Sequence, residues 1–272
     1  MQNPTALTGS RIQLHYAIQF MAATGMALVE AQPDGSQMTL DWCDDLKAFI
    51  GQRILGDRPC YLALDPVQLI SLILDDQQQA IASFPLIGKT METALNWHKA
   101  ELSKLGVDAE KIAFLSYPND FPDHPLAHGA QFASGDEEGR KTVAAYFAVT
   151  YPLLYGIIIS QAGASPIYIW PHHFDMATLV TLAGEGASAQ TIGAGFSPGD
   201  NGYNQPYWYV TPWPYPDKQA LPSLAVGTWH TEGWIGAILL ADELAEATSA
   251  TTQQTVKTFL ETAVSVCHKL LT

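Results

Sequence analysis

The sequence has little positive charge. Its 13 Lys and Arg stand against 27 Asp and Glu, a formal net charge of −14. A surface that acidic repels phosphate backbones and anionic lipid, so neither nucleic acid nor a membrane surface is an expected partner. Cysteine is also sparse. Cys43, Cys60 and Cys267 form no CxxC pair and their number is odd, so a disulfide framework is not expected and buried thiols in a reducing, cytoplasmic setting are. The dinucleotide fingerprint GxGxxG, the phosphate loop GxxxxGK[ST] and the zinc-protease signature HExxH are absent, which removes several easily recognised enzyme classes. No internal repeat or low-complexity tract is present, and the opening residues read as an amphipathic helix, not a secretory leader.

What is there points to a well-filled core. Hydrophobic residues make up 47% and charged residues 15% of 272 positions, enough for one large domain or two small ones. From Thr142 to Pro171 there is no charged residue. Thr150, Pro152, Gly156, Ser160 and Gln161 interrupt this run, so a buried central helix is expected in preference to a membrane span, which needs ~20 mainly apolar residues.

Periodicity predicts a helix over 5–30 and strands over 36–42, 48–54 and 60–64. QLISLIL and AIASFPLIG read as a hairpin around Asp75-Asp76, although LISLIL also suits a helix. A helix over 88–105 has Thr90 as its cap and Gly106 as its stop. KIAFLSYP reads as a strand, 119–139 as a long loop, and 140–161 as a helix kinked at Pro152. Further strands are expected at IYIW, MATLVTLAG, AQTIGAGF, PYWYVTPW, LAVGTWH and GWIGAILL. A last helix follows over 243–271, restarting at Thr251 or Thr252. The fold class is α+β: short, mostly antiparallel strands flanked by helices. Two interlocked halves are expected, 1–118 and 140–272, with 119–139 as loop or linker and the second half carrying the site.

That site is expected between Ile167 and Pro216, where polar chemistry lies among aromatics. In WPHHFD, an extended chain puts His173 and Asp175 on one face and Trp170, His172 and Phe174 on the other; a helical turn pairs His172 with Asp175 instead. Either pair can orient a general base, supply two metal ligands, or simply satisfy buried polar groups. Two residues complete no metal motif, so no metal ligand and no cofactor is assigned. In GFSPGD, Ser197 to Asp200 suits a tight turn whose N–H groups can hold an anion, and Ser197 is a nucleophile only beside a base. In PYWYVTPWPYP, Tyr207, Tyr209 and Trp213 with Trp170 supply flat surfaces for a ligand, or ordinary packing. His230, with Glu232 two residues on, repeats the His173–Asp175 spacing, and a catalytic trio of His173, Asp175 and His230 needs these pairs to converge. His124 and His128 lie in the long loop; His15 and His98 read as packing histidines.

IYIWPHHFDMATL, GFSPGDNGYNQPYWYVTPWP and TWHTEGWIGAILLADEL, in that order, resemble the second half of an uncharacterised bacterial family, the DUF5996 proteins. The resemblance covers roughly residues 140–272 and is most specific at the turn and the aromatic strand. It implies a soluble bacterial protein with a shared site region and supplies no catalytic residue. The chain is poorer in charge over 142–160 than such relatives would be, which suggests a buried contact between copies. Three functions follow from the residues: a small-molecule binder, a His–Asp-dependent or metal-assisted hydrolase or isomerase, and a structural or oligomerisation protein.

Overall fold

The computed structural model describes residues 4–244 and 249–272, an α+β fold with antiparallel sheets. The chain forms two compact units. One comprises Leu7–Ala144 with Tyr168–Phe174; the other comprises Ala145–Ile167 and Asp175–Thr272 with residues 4–6. The expected division at 118 and 140 is therefore corrected. Residues 119–139 belong to the first unit instead of linking two halves, and the WPHHF segment returns to that unit later in the chain.

In the first unit, helices α1 (Thr8–Ala17) and α2 (Gln19–Leu28) are separated only by Ile18, which itself keeps helical torsions. Strands β1 (Asp41–Cys43), β2 (Ala48–Ile50), β3 (Cys60–Asp65), β4 (Ile70–Asp75) and β5 (Ala80–Pro85) form an antiparallel meander in chain order. Residues 36–38 form a 3-10 turn in place of the start of the expected first strand. Short carboxylates shape the turns: Asp65 Oδ1 accepts from the N–H groups of Val67 and Gln68, and Asp75 Oδ1 from those of Gln77 and Gln79. LISLIL is a strand because β4 finds ladder partners on both edges.

Helix α3 (Met91–Ser103) begins as expected, with Thr90 Oγ1 accepting from the Thr93 N–H. Gly106 follows its end at φ +77°, a left-handed conformation open to a residue without Cβ. The helix meets the sheet through fully buried His98. Its Nδ1–H donates to the Ala94 carbonyl, so Nε2 accepts from the Ser71 hydroxyl on β4 at 2.6 Å. The expected strand over KIAFLSYP does not form. After a 3-10 turn at Ala109–Lys111 the chain runs on without regular structure. Side chains hold it instead: Phe114 packs on Phe20, and the Tyr117 hydroxyl donates to Gln19 Oε1. Strand β6 (Tyr168–Trp170) closes this unit, where Ile169 and Leu40 exchange backbone hydrogen bonds at 3.0 and 2.8 Å.

Helix α4 (Glu137–Ser160) runs through Pro152, and the boundary between the units falls within it. Among the described residues it is the one helix long and apolar enough to cross a membrane, by length and composition only. Of its apolar stretch, 39% is buried inside the protein. In the second unit, strands β7 (Asp175–Ala183), β8 (Gln190–Ser197), β9 (Tyr207–Trp213), β10 (Thr228–His230) and β11 (Gly236–Leu240) run antiparallel in the order β10-β11-β9-β8-β7.

Burial along β9 alternates after Tyr207. Trp208, Val210 and Pro212 are buried, Tyr209 and Thr211 half-buried, as a period of two requires. Trp208 packs with Phe196 and Tyr146, Phe147 packs edge-on to Phe196, and the Trp208 Nε1–H donates to Thr150 Oγ1 at 2.9 Å. Helix α5 (Ala250–Leu271) packs on β8, β9 and β11, burying Val256, Phe259, Leu260, Ala263, Val264 and Cys267 at helical spacing. Each large apolar side chain buried in this way contributes about 1.5–3 kcal/mol. Ser249, not Thr251 or Thr252, caps α5 by accepting from the Thr252 N–H; the start of that helix expected at 243–248 lies partly outside the described residues.

Candidate functional site

The WPHHFD segment is neither the strand nor the helical turn expected. Residues 171–174 form a turn closed by the Phe174 N–H donating to the Trp170 carbonyl at 2.8 Å. Phe174 sits at φ +57° and is fully buried. A bulky aromatic in the left-handed region is held there only by its surroundings, in this case the rings of His15 and Phe49, each 5.4 Å away. The turn puts His172 and His173 on the same side, their rings stacked at 4.1 Å.

Both histidines then meet Asp120, a residue of the long loop over 119–139. His172 Nε2 lies 2.8 Å from Asp120 Oδ1, and His173 Nε2 lies 3.1 Å from Asp120 Oδ2. Those bonds, first from His173 and then from His172, hold the Asp120 carboxyl below the usual carboxylate range. The expected His173–Asp175 pair is thus replaced by Asp120 with both imidazoles. Nothing in the sequence marks Asp120, since 52 positions separate it from His172.

The ring stack extends further. His172 lies nearly parallel to Tyr117 at 5.1 Å and 5°, and Tyr117 stacks on Phe121 at 4.8 Å and 15°. Phe121, Tyr117, His172 and His173 therefore form one row of rings. Gln19 ties the row to the turn: its Oε1 accepts from Tyr117, and its Nε2 donates to the carbonyls of His15 and Pro171. His15 is buried beside it, and burial pushes its pKa down to about 4. The Phe121 end of the row opens into a cavity of about 660 Å³, with Tyr16, Gln19, Phe114, Tyr117 and Leu126 in its wall. Glu92 and Asp123 are the charged residues of that wall, and both are acidic. His124 and His128 do not reach over the cluster: His124 Nδ1 accepts from the Leu126 N–H, and exposed His128 pairs with Asp123.

The remaining expected residues assemble separately, in the second unit. Asp175 accepts from the Tyr209 hydroxyl at 2.5 Å, and Asp200 Oδ2 from the Tyr207 hydroxyl at 2.5 Å. Burial first, and then the adjacent carboxylate, raises the pKa of each phenol, so both remain donors. Tyr209 fits across the sheet because residue 195 is glycine; a Cβ there would lie 2.6 Å from the Tyr209 ring and 2.7 Å from the Met176 carbonyl.

His230 Nε2–H donates to the Glu232 backbone carbonyl, leaving Nδ1 to accept from the Tyr203 hydroxyl at 2.7 Å. Its partner is the Glu232 backbone, not the carboxylate. His173, Asp175 and His230 each have their own partners, and the expected catalytic trio does not form. The SPGD turn is corrected as an anion site: its Gly199 N–H donates to Ser197 Oγ and its Asp200 N–H to the Tyr203 carbonyl, while Asp200 Oδ1 takes the N–H groups of Gly202 and Tyr203.

Residues 195–199, GFSPG, do carry the spacing GxSxG of a nucleophile elbow. The elbow needs an exposed serine between a strand and a helix. Ser197 is buried, a loop follows it, and its Oγ accepts from the Gly199 N–H. Trp213 ends β9 exposed against Tyr215, and Trp170 packs edge-on to Tyr168. No family model, curated protein or solved structure matches the chain.

Two centres therefore replace one. The second-unit centre is a set of hydrogen bonds in which Asp175 and Asp200 each accept from a tyrosine hydroxyl. The first-unit centre has two imidazoles, a carboxylate and a cavity at the other end of one ring stack, and it offers the more open chemistry.

Proposed function

We propose that the protein binds a small molecule, flat and either uncharged or cationic, in the first-unit cavity. The single observation that carries this reading is the make-up of the wall: aromatic surfaces for stacking, tyrosine and amide groups for orientation, and Glu92 and Asp123 as its charged residues. An apolar cleft of this size with a few converging polar groups is the usual form of a ligand site. An anion would meet two carboxylates inside a chain of net charge −14.

The probes are tryptamine and indole-3-acetate, which share a ring and differ in charge, followed by ligand-observed NMR and thermal shift. Tryptamine should bind about fivefold or more tighter, and Leu126→Trp, which fills the cavity, should abolish its binding. Equal binding of the two probes, or binding that survives Leu126→Trp, overturns the reading.

A His–Asp-dependent enzyme is the second reading. It is supported by the placement of Asp120 against both His172 and His173, with Asp120 taking the orienting role first expected of Asp175. We also take the protein to be a cytoplasmic, bacterial relative of the DUF5996 proteins, without nucleic-acid or membrane partners. The WPHHFD, GFSPGD and PYWYVTPWP elements, the acidic composition and the three free thiols support this. Exposed Tyr155 and Ile159 on α4 support a contact between copies.

A further inference from the structure

Adjacent residues of an extended chain point their side chains to opposite faces. His172 and His173 do not, because the turn at 171–174 and the left-handed Phe174 bring both rings to one side. One ring nitrogen of each histidine and a carboxylate oxygen of Asp120 all lie within 4.8 Å of one another. We propose that Asp120, His172 and His173 bind one divalent transition-metal ion of the zinc type. The proposal does not depend on a ligand in the cavity, since the metal alone tests it.

The donor set selects the ion. Two imidazole nitrogens and one carboxylate suit zinc and its neighbours, whereas magnesium and calcium prefer oxygen throughout. Three protein ligands leave a position for water, the arrangement of an open site. Zinc–ligand bonds of about 2.0–2.1 Å put tetrahedral ligand atoms roughly 3.3 Å apart. The two imidazole–carboxylate separations, 2.8 and 3.1 Å, are already close to that.

The remaining adjustment brings the two Nε2 atoms onto one ion. His173 can make it, because its side chain is 58% exposed. His172 is 24% exposed and is clamped by Tyr117, so it serves as the fixed ligand. The acidic surface raises the local concentration of cations.

The test is zinc titration of the metal-free, untagged full chain against a chromophoric competitor, repeated with Co²⁺ to read the visible spectrum of a tetrahedral site. One zinc per chain is expected, with magnesium failing to compete. His173→Ala and Asp120→Asn alter exposed side chains and should leave the fold intact. Each should weaken zinc by about tenfold or more, since loss of an outer-shell partner alone costs 10–100-fold. His128→Ala, an exposed histidine paired with Asp123, should change nothing. If wild type binds zinc no tighter than His173→Ala, or if His128→Ala weakens it equally, the cluster is only a hydrogen-bonded pair of imidazoles and the proposal fails.

Discussion

Acid should destabilise the first unit through two buried histidines. His15 is enclosed by Phe121 and Phe174, and His98 by Phe20 and Trp97. Burial lowers both pKa values from 6.5 to about 4. The unfolded chain therefore binds more protons between pH 4 and 6.5, so stability is complete above pH 6.5 and falls as pH drops through that window. One pKa unit corresponds to about 1.4 kcal/mol, so each histidine removes about 2 kcal/mol at pH 5 and about 3 below pH 4. Together they remove about 4 kcal/mol at pH 5, a large part of the 5–15 kcal/mol by which domains are stable.

His124, also lowered by burial, acts in the same direction. Asp34, Asp44, Asp76 and Asp120 have lowered pKa values and lose their contributions below the window, under pH 4. The assay is urea denaturation followed by circular dichroism at pH 7, 6 and 5. It is run on wild type and on Ser71→Ala/His98→Leu, which removes both members of one buried pair together. The double variant should lose about half the pH dependence. A flat wild-type profile, or an unchanged slope in the double variant, refutes burial as the cause.

Two further outcomes follow from the second unit. Gly195→Ala drives a methyl group into the Tyr209 ring and the Met176 carbonyl; it should cost about 1–3 kcal/mol in denaturation and change the near-ultraviolet tyrosine signal. Thr150→Val keeps the shape of the side chain but leaves the buried Trp208 Nε1–H without its acceptor. It should cost about 1–3 kcal/mol by denaturation midpoint, with Thr150→Ser restoring most of the loss.

Local signals in the chain account for the α+β class, the β4–β5 hairpin, the capped α3 helix, the alternating β9 strand and the packing roles of His15 and His98. Each of these rests on local signals: a period of two or 3.6, a capping hydroxyl, or a turn carboxylate. The strand expected over KIAFLSYP failed because side chains of that segment, Phe114 and Tyr117, found partners on α2, and no ladder partner outcompeted them. The site was legible as residue types but not as partners. His172 and His173 were singled out, yet the carboxylate they share is Asp120 and not Asp175. A turn dictated by one left-handed phenylalanine decides which way two adjacent side chains point, and the buried rings of His15 and Phe49 that hold it come from distant parts of the chain. Asp175, Tyr209, Asp200 and Tyr207 show the same limit. Strand register brings Tyr209 to Asp175 across 34 positions, and the fold of the loop between β8 and β9 brings Asp200 to Tyr207; both follow from which strands pair, and local sequence does not set that.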